Sequence, residues 1–345
     1  MEGPDAEADP LTMKECAEVA ESCLFGRSKA VALCIGNINE KESRDIAELI
    51  QGQFLRKRPL LEDETPRFRC LILPTKEEAD QIFHSDVNAK VPLICEALAH
   101  SESEENNSVE LMMQTASNHE LGYQGLAIQE LISSIAYNSA FNQLRTKEQL
   151  GYIVSAFTKK IAGGGNAFCV LVQSSSTTPP NIEDSCIKWI EQFRRELEEM
   201  SEERLLQETN AVKASLLEKD IKLSEEISSV WNEILATMPH SYHFKNPVFD
   251  RLERFADILT IGGENATCSS IHSVAELKDK ILEFYDKYFM PTSPERRLIS
   301  SRVYNRKLKD LFEANIGKPG YISNFNDARK LKQQLSSFPT APYWN

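Results

Sequence analysis

Apolar positions in this chain fall into short runs separated by polar breaks, and their spacing predicts alternating strands and helices. The clearest stretch begins at Val109, where Val-Glu-Leu-Met-Met-Gln-Thr reads as a strand to Thr115. A helix over about residues 120–144 follows, with Ile128, Leu131, Ile132 and Ile135 at i, i+3, i+4 and i+7 on one side. Two strands come next, Gly151–Thr158 and Ala167–Gln173, joined by Ala162-Gly163-Gly164-Gly165-Asn166. The triple glycine supplies the positive-φ positions of a hairpin loop. It does not match a phosphate loop, whose Gly-x-x-x-x-Gly-Lys-Ser/Thr pattern must connect a strand to a helix.

Pro179-Pro180 opens another helix, with Ile187, Ile190, Phe193, Leu197 and Met200 as its apolar stripe. Ser201 with Glu202 and Glu203 is an N-cap and acidic first turn for a helix to about Leu217. Further helices are expected over 224–236, over 249–259, and from the capping pattern Ser273-Val274-Ala275-Glu276 to Phe289. Arg297–Tyr304 reads as a closing strand and Asn326–Leu335 as a last helix.

The N-terminal part is less regular. Residues 1–10 are acidic and hold Pro4 and Pro10, the composition of a disordered tail. A short helix is expected over 11–25, a buried strand at Val31–Ile35, a turn at 36–39, and a helix from Glu40 to Leu55 with Ile46, Leu49 and Ile50 on one side. Residues 56–67 are polar, carry two prolines and read as a connector. Cys70–Pro74 is a short apolar run, and 102–108 a solvated loop. The order of elements predicts an α+β fold, with helices laid on a mainly antiparallel or mixed sheet.

Composition adds limits. The chain of 345 residues is 41% hydrophobic and 26% charged, with a formal net charge of −13. That balance argues against nucleic acid, whose binders present basic faces. The acidic run from Glu191 to Glu208 reads as a solvated helix face, with electrostatic steering of basic peptides as the alternative. Eight cysteines show neither a Cys-x-x-Cys pair nor a compact disulfide framework. Reduced thiols are expected, as in a cytoplasmic protein. Met1 is followed by acidic residues, unlike a secretory signal, and no apolar run reaches the ~18 residues that span a bilayer. No membrane partner is therefore expected.

The most informative segment is Phe141-Asn142-Gln143-Leu144-Arg145-Thr146-Lys147-Glu148-Gln149-Leu150-Gly151-Tyr152-Ile153-Val154. It reads as a helix end carrying Arg145, a polar turn, and Gly151 opening a strand that presents Tyr152. Arginine offers five fixed donors and tyrosine a hydroxyl on a rigid ring, a pair suited to gripping a peptide backbone. The alternative is that Arg145 caps the carbonyls of its own helix while Tyr152 packs in the sheet.

This run resembles the signature in the C-terminal half of the insulysin/pitrilysin (M16) zinc metallopeptidases. The resemblance covers most of residues 25–305 and is strongest over 109–175. It implies an M16 peptidase-like (LuxS/metallohydrolase-like) domain over residues 69–345, preceded by a disordered tail (1–10) and by the end of a third such domain with its connector (11–68). Within that scheme, residues 75–106 form a longer insertion than typical. It also implies that Arg145 and Tyr152 contact peptide substrate, with Phe141 lining the same wall; the alternative for Phe141 is packing in the core. Lys219-Asp220-Ile221-Lys222-Leu223-Ser224 resembles a family turn that contributes to an anion site, through Lys219, Lys222 and Ser224. Its other reading is an ordinary interhelix turn with Ser224 as N-cap.

Family members bind zinc through an inverted His-x-x-Glu-His helix. None of the histidines here, His84, His100, His119, His240, His243 and His272, stands in that context. His240 and His243 read as exposed loop residues. The expectation is therefore a chain with no catalytic or metal-ligating residue of its own, inactive alone, whose zinc lies in an N-terminal catalytic half that is its partner, with peptides as substrates. The other possibility is a structural or binding module of the same fold without a protease role.

Overall fold

The computed structural model describes residues 12–23, 27, 30–54, 60, 64, 69–83, 91–237, 251–262 and 271–339. The expected tail at 1–10, most of the 56–67 connector, His84, and the pair His240 and His243 lie outside the described residues. The contacts separate two compact units. One comprises Arg69–Glu218 and Asp250–Trp344, the other Glu2–Phe68 and Lys219–Phe249.

The first unit is built on a six-stranded sheet. Its strands are β1 (Leu93–Leu98), β2 (Asn107–Ser117), β3 (Ile153–Ile161), β4 (Gly165–Ser174), β5 (Arg297–Tyr304) and β6 (Tyr321–Ile322), in the spatial order β3-β4-β2-β5-β1-β6. The pairs β3–β4, β4–β2 and β2–β5 are antiparallel, whereas β1 runs parallel to both β5 and β6. The fold is α+β on a mixed sheet.

Alternation along β2 explains how the sheet is covered. Val109, Leu111 and Met113 are fully buried in the main core with Phe168, Val170 and Val172 of β4. Onto that face pack α4 (Asn118–Ala140), α5 (Pro179–Glu199) and α9 (Val274–Tyr288), through Leu131, Ile132, Trp189, Phe193, Ile281 and Tyr285 among others. Each such side chain stabilises by roughly 1.5–3 kcal/mol when removed from water. A smaller cluster of Leu73, Leu93, Ile322 and Leu331 joins α11 (Phe325–Gln334) to the sheet.

The helix starts follow local chemistry. The reciprocal capping box sits at Ser117 and Glu120, opening α4. At the expected box, Ser273 does accept the Glu276 amide hydrogen, but the Glu276 carboxylate accepts instead from the amide of His272. Pro179 and Pro180 occupy the first turn of α5, and Ser201 caps α6 (Glu202–Leu216). The triple glycine is a hairpin loop between β3 and β4, as its composition predicts. A Cβ at Gly163, whose φ is +92°, would lie 2.3 Å from the amide nitrogen of Cys70, so only glycine fits that approach.

Two expectations change. Val31–Ile35 is not a strand, because no neighbouring backbone among the described residues pairs with it. The 75–106 stretch is more than an insertion: it contains α3 (Lys76–Phe83) and β1, an interior strand between β5 and β6.

A buried polar network ties β1 to α5 and β5. Arg302, 5% exposed, donates from Nε and Nη2 to Glu183 at 3.0 and 2.9 Å and from Nη1 to Glu96 at 3.1 Å. Tyr304 and Asn315 donate to the same Glu96 oxygen at 2.6 and 3.2 Å. Burial opposes the charge on Arg302, but the Glu183 hydrogen bonds and charge outweigh it and raise its pKa above the ordinary value. Cys70, Cys169 and Cys186 are buried thiols, and burial pushes the Cys169 pKa up to about 12.

Candidate functional site

Helix α4 is set on the sheet by one fully buried amide. Gln129 accepts from the Thr115 hydroxyl at 2.9 Å and donates to the Ala167 carbonyl at 3.0 Å, linking the helix to β2 and β4. After Ala140 the chain does not continue as an α-helix. Phe141–Lys147 forms a wider π-helical turn, in which the Glu148 amide bonds the Gln143 carbonyl at 2.9 Å. Such turns are rare and concentrate at functional sites. Leu144 and Leu150 point into the core and anchor it. Gln149 then takes φ +54°, a left-handed conformation uncommon outside glycine, and the chain turns into β3.

Side chains hold the wide turn in place. Gln143 donates to Glu148 at 2.9 Å. Gln192 of α5 donates to Gln143 at 3.4 Å and to Glu196 at 2.7 Å. Glu196 also accepts from Ser139 at 2.6 Å, and Ser139 accepts from the Trp189 indole at 3.0 Å. Gly151 allows the close passage into β3: a Cβ there would lie 1.8 Å from the Gln173 carbonyl oxygen.

This geometry brings the three predicted residues together. The Arg145 guanidinium lies over the Phe141 ring at 4.6 Å and over the Tyr152 ring at 4.5 Å. Phe141 and Arg145 are half-buried, while Tyr152 is 81% exposed. Tyr152 therefore does not pack in the sheet, and among the described residues no hydrogen bond runs from Arg145 to its own helix. A cation held over ring faces spends no hydrogen bond on them, and among the described residues no oxygen accepts from Arg145, so its N–H donors stay available to a ligand. Tyr137 extends the cluster, its ring 6.5 Å from that of Phe141. Sequence reasoning missed it, although the spacing 137, 141, 145 places all three on one helical side. It also missed Gln192 and Glu196, whose partners lie about fifty residues earlier in the chain.

In the second unit, Lys219, Lys222 and Ser224 surround the start of α7 (Leu223–Thr237). Ser224 lies inside the first turn rather than capping it. Glu225, in the same turn, reaches back to accept from the amides of Ile221 and Lys222 at 3.2 Å each. The Lys222 ammonium pairs with the same carboxylate at 3.0 Å. Much of the local positive charge is thus met within the turn.

Among the described residues no three His, Cys, Asp or Glu side chains converge as ligands for a cation. The donor set does not fit a zinc ion, and no metal-dependent step is assigned to the described residues. Among them, too, no helix is long and apolar enough to cross a membrane.

Comparison with known proteins agrees with the motif. The family described as PQQ synthase PqqF-like, C-terminal lobe domain 4, matches residues 131–231. A nardilysin-like protein of Arabidopsis thaliana is 28% identical over 277 residues, covering 79% of this chain and 23% of the relative. Human insulin-degrading enzyme is 25% identical over 289 residues, covering 83% of this chain and 24% of the enzyme. The crystal structure of pitrilysin superposes with a TM-score of 0.57 at 19% identity, over 89% of this chain and 27% of that one, which shows the same fold. The chain thus spans about a quarter of the length of these proteins.

Proposed function

We propose that this chain, which corresponds to part of the C-terminal half of an insulysin/pitrilysin-type (M16) peptidase, forms the non-catalytic wall of a peptide chamber in a zinc metalloendopeptidase. Phe141, Arg145 and Tyr152 hold the peptide. The observation that carries this reading is the guanidinium stacked against both rings at the rim of a wide helical turn. A scaffold has no use for a cation fixed in this way with its N–H fork left open.

The chemistry follows from the donors. A guanidinium donating to a carbonyl or a developing oxyanion makes charge-assisted hydrogen bonds, about twice as strong as neutral ones. The Tyr152 hydroxyl adds a further donor to the same oxygen or to the next residue of the peptide. In an enclosed, partly dry chamber such preorganised donors lower the barrier most where charge develops. The metal that polarises the carbonyl belongs, in this reading, to the N-terminal half that is the partner of this chain. The human relative bears a name that states a polypeptide substrate, insulin. The reduced cysteines support a cytoplasmic location. Lys219, Lys222 and Ser224 form a secondary anion contact, one weakened by the Glu225 pairing.

The test is kinetic. In the enzyme assembled from this chain and its metal-carrying half, Arg145→Ala or Tyr152→Phe is expected to lower kcat/KM by about tenfold or more. Unchanged kinetics in both variants would reduce the cluster to packing and favour a structural module.

A further inference from the structure

The sheet of the first unit has two edges, and they are guarded unequally. At one end lies β6, only two residues long. At the other lies β3, nine residues long, which among the described residues pairs with β4 alone. An unpaired strand of that length presents a row of N–H and C=O groups, and sheets usually blunt such an edge with short strands, lysines, prolines, bulges or a covering segment. In β3 the only charges, Lys159 and Lys160, stand at the far end. The near end, Ile153 to Thr158, has no charge and no proline, and its pairing with β4 runs without a bulge. Ile153 is 44% exposed. This open portion continues directly from Tyr152 and Arg145.

We propose that the outer edge of β3 takes up an extended peptide as an added strand, with an acidic side chain of that peptide held by Arg145. The proposal rests on the peptide-wall reading and names its substrate class. A bare strand edge recognises an extended backbone, not a helix or a nucleic acid, and it pairs with any residue except proline. Six residues of strand give about 20 Å of edge, enough to align a short segment. The charge preference comes from Arg145. No carboxylate pairs with it among the described residues, it is held over two aromatic rings, and a planar fork of donors matches a carboxylate.

The experiment uses this chain and short Thr/Val peptides, acetylated and amidated, with one Glu at either end. One of the two is expected to bind and to slow hydrogen exchange at the amides in 153–158 that face away from β4. N-methylation of its alternate residues should weaken binding by about tenfold or more, since each blocked residue removes a backbone hydrogen bond. Arg145→Ala, or Glu→Gln in the peptide, should weaken it as well. If the methylated peptide binds equally and β3 exchange is unchanged, the edge proposal is overturned; a persisting Arg145→Ala effect would then leave the wall reading intact. If β3 is protected but Arg145→Ala changes nothing, the acidic-end assignment and the wall reading both fail. No binding at about millimolar peptide overturns the proposal. So does slow exchange at the outward-facing amides of 153–158 in the assembled enzyme without peptide, because another segment would then cover the edge.

Discussion

Gly151 shows how much one missing side chain decides. Its backbone passes so near the Gln173 carbonyl that any Cβ must push the two apart, and the displaced residue is the one before Tyr152. Gly151→Ala is expected to cost about 1–3 kcal/mol, the usual size of an overpacking penalty, measured as a lowered urea midpoint. A midpoint equal to the parent's would show that the strand entry shifts at no cost. The residues of the site were legible in the sequence because Phe141, Arg145 and Tyr152 lie within one motif. Their mutual stacking was not. It depends on a π turn and on a left-handed Gln149, and the 3.6-residue periodicity that marks the helix carries no trace of either. Tyr137 was within reach of the same periodicity, one turn before Phe141 on the same helical side.

At the scale of elements, two arginines, one just before β5 and one within it, make opposite predictions. Arg302 is buried but satisfied, and its removal strands Glu183 and Glu96 in the interior. Arg302→Met is expected to destabilise by roughly 3–5 kcal/mol, because an uncompensated buried charge is costly. Arg296 is 7% exposed, and its Nε and Nη2 have no hydrogen-bond partner. Burial lowers its pKa to about 10, so it still carries its charge at neutral pH. Arg296→Met is expected to leave stability unchanged or raise it, since it removes a desolvated cation and keeps the volume. Urea titrations of both variants at neutral pH check this pair; equal losses would refute the distinction. The same network explains why β1 escaped the sequence reading. Glu96 breaks what would otherwise be an apolar run, and the partner that makes it tolerable lies more than two hundred residues later.

For the whole molecule, the alternation of apolar runs was enough to give an α+β fold, and the antiparallel hairpin β3–β4 was evident from its glycines. The parallel pairings of β1 with β5 and β6 were not, because parallel pairing leaves no local turn signal. Metal content is the property that belongs to this scale. Purified chain is expected to retain no stoichiometric zinc and to cleave no fluorogenic peptide. One tightly held zinc per chain by metal analysis would contradict the inert-half reading. The sheet order carries a further consequence for how the chain assembles during synthesis. Leu93 of β1 must wait for Ile299, and both sides of β1 are supplied only by β5 and β6. Until the ribosome has released those late strands, β1 has nowhere to dock and β2 shows an uncovered flank. A nascent chain that has reached β2 but not β5 therefore exposes a half-built layer, a state open to self-association.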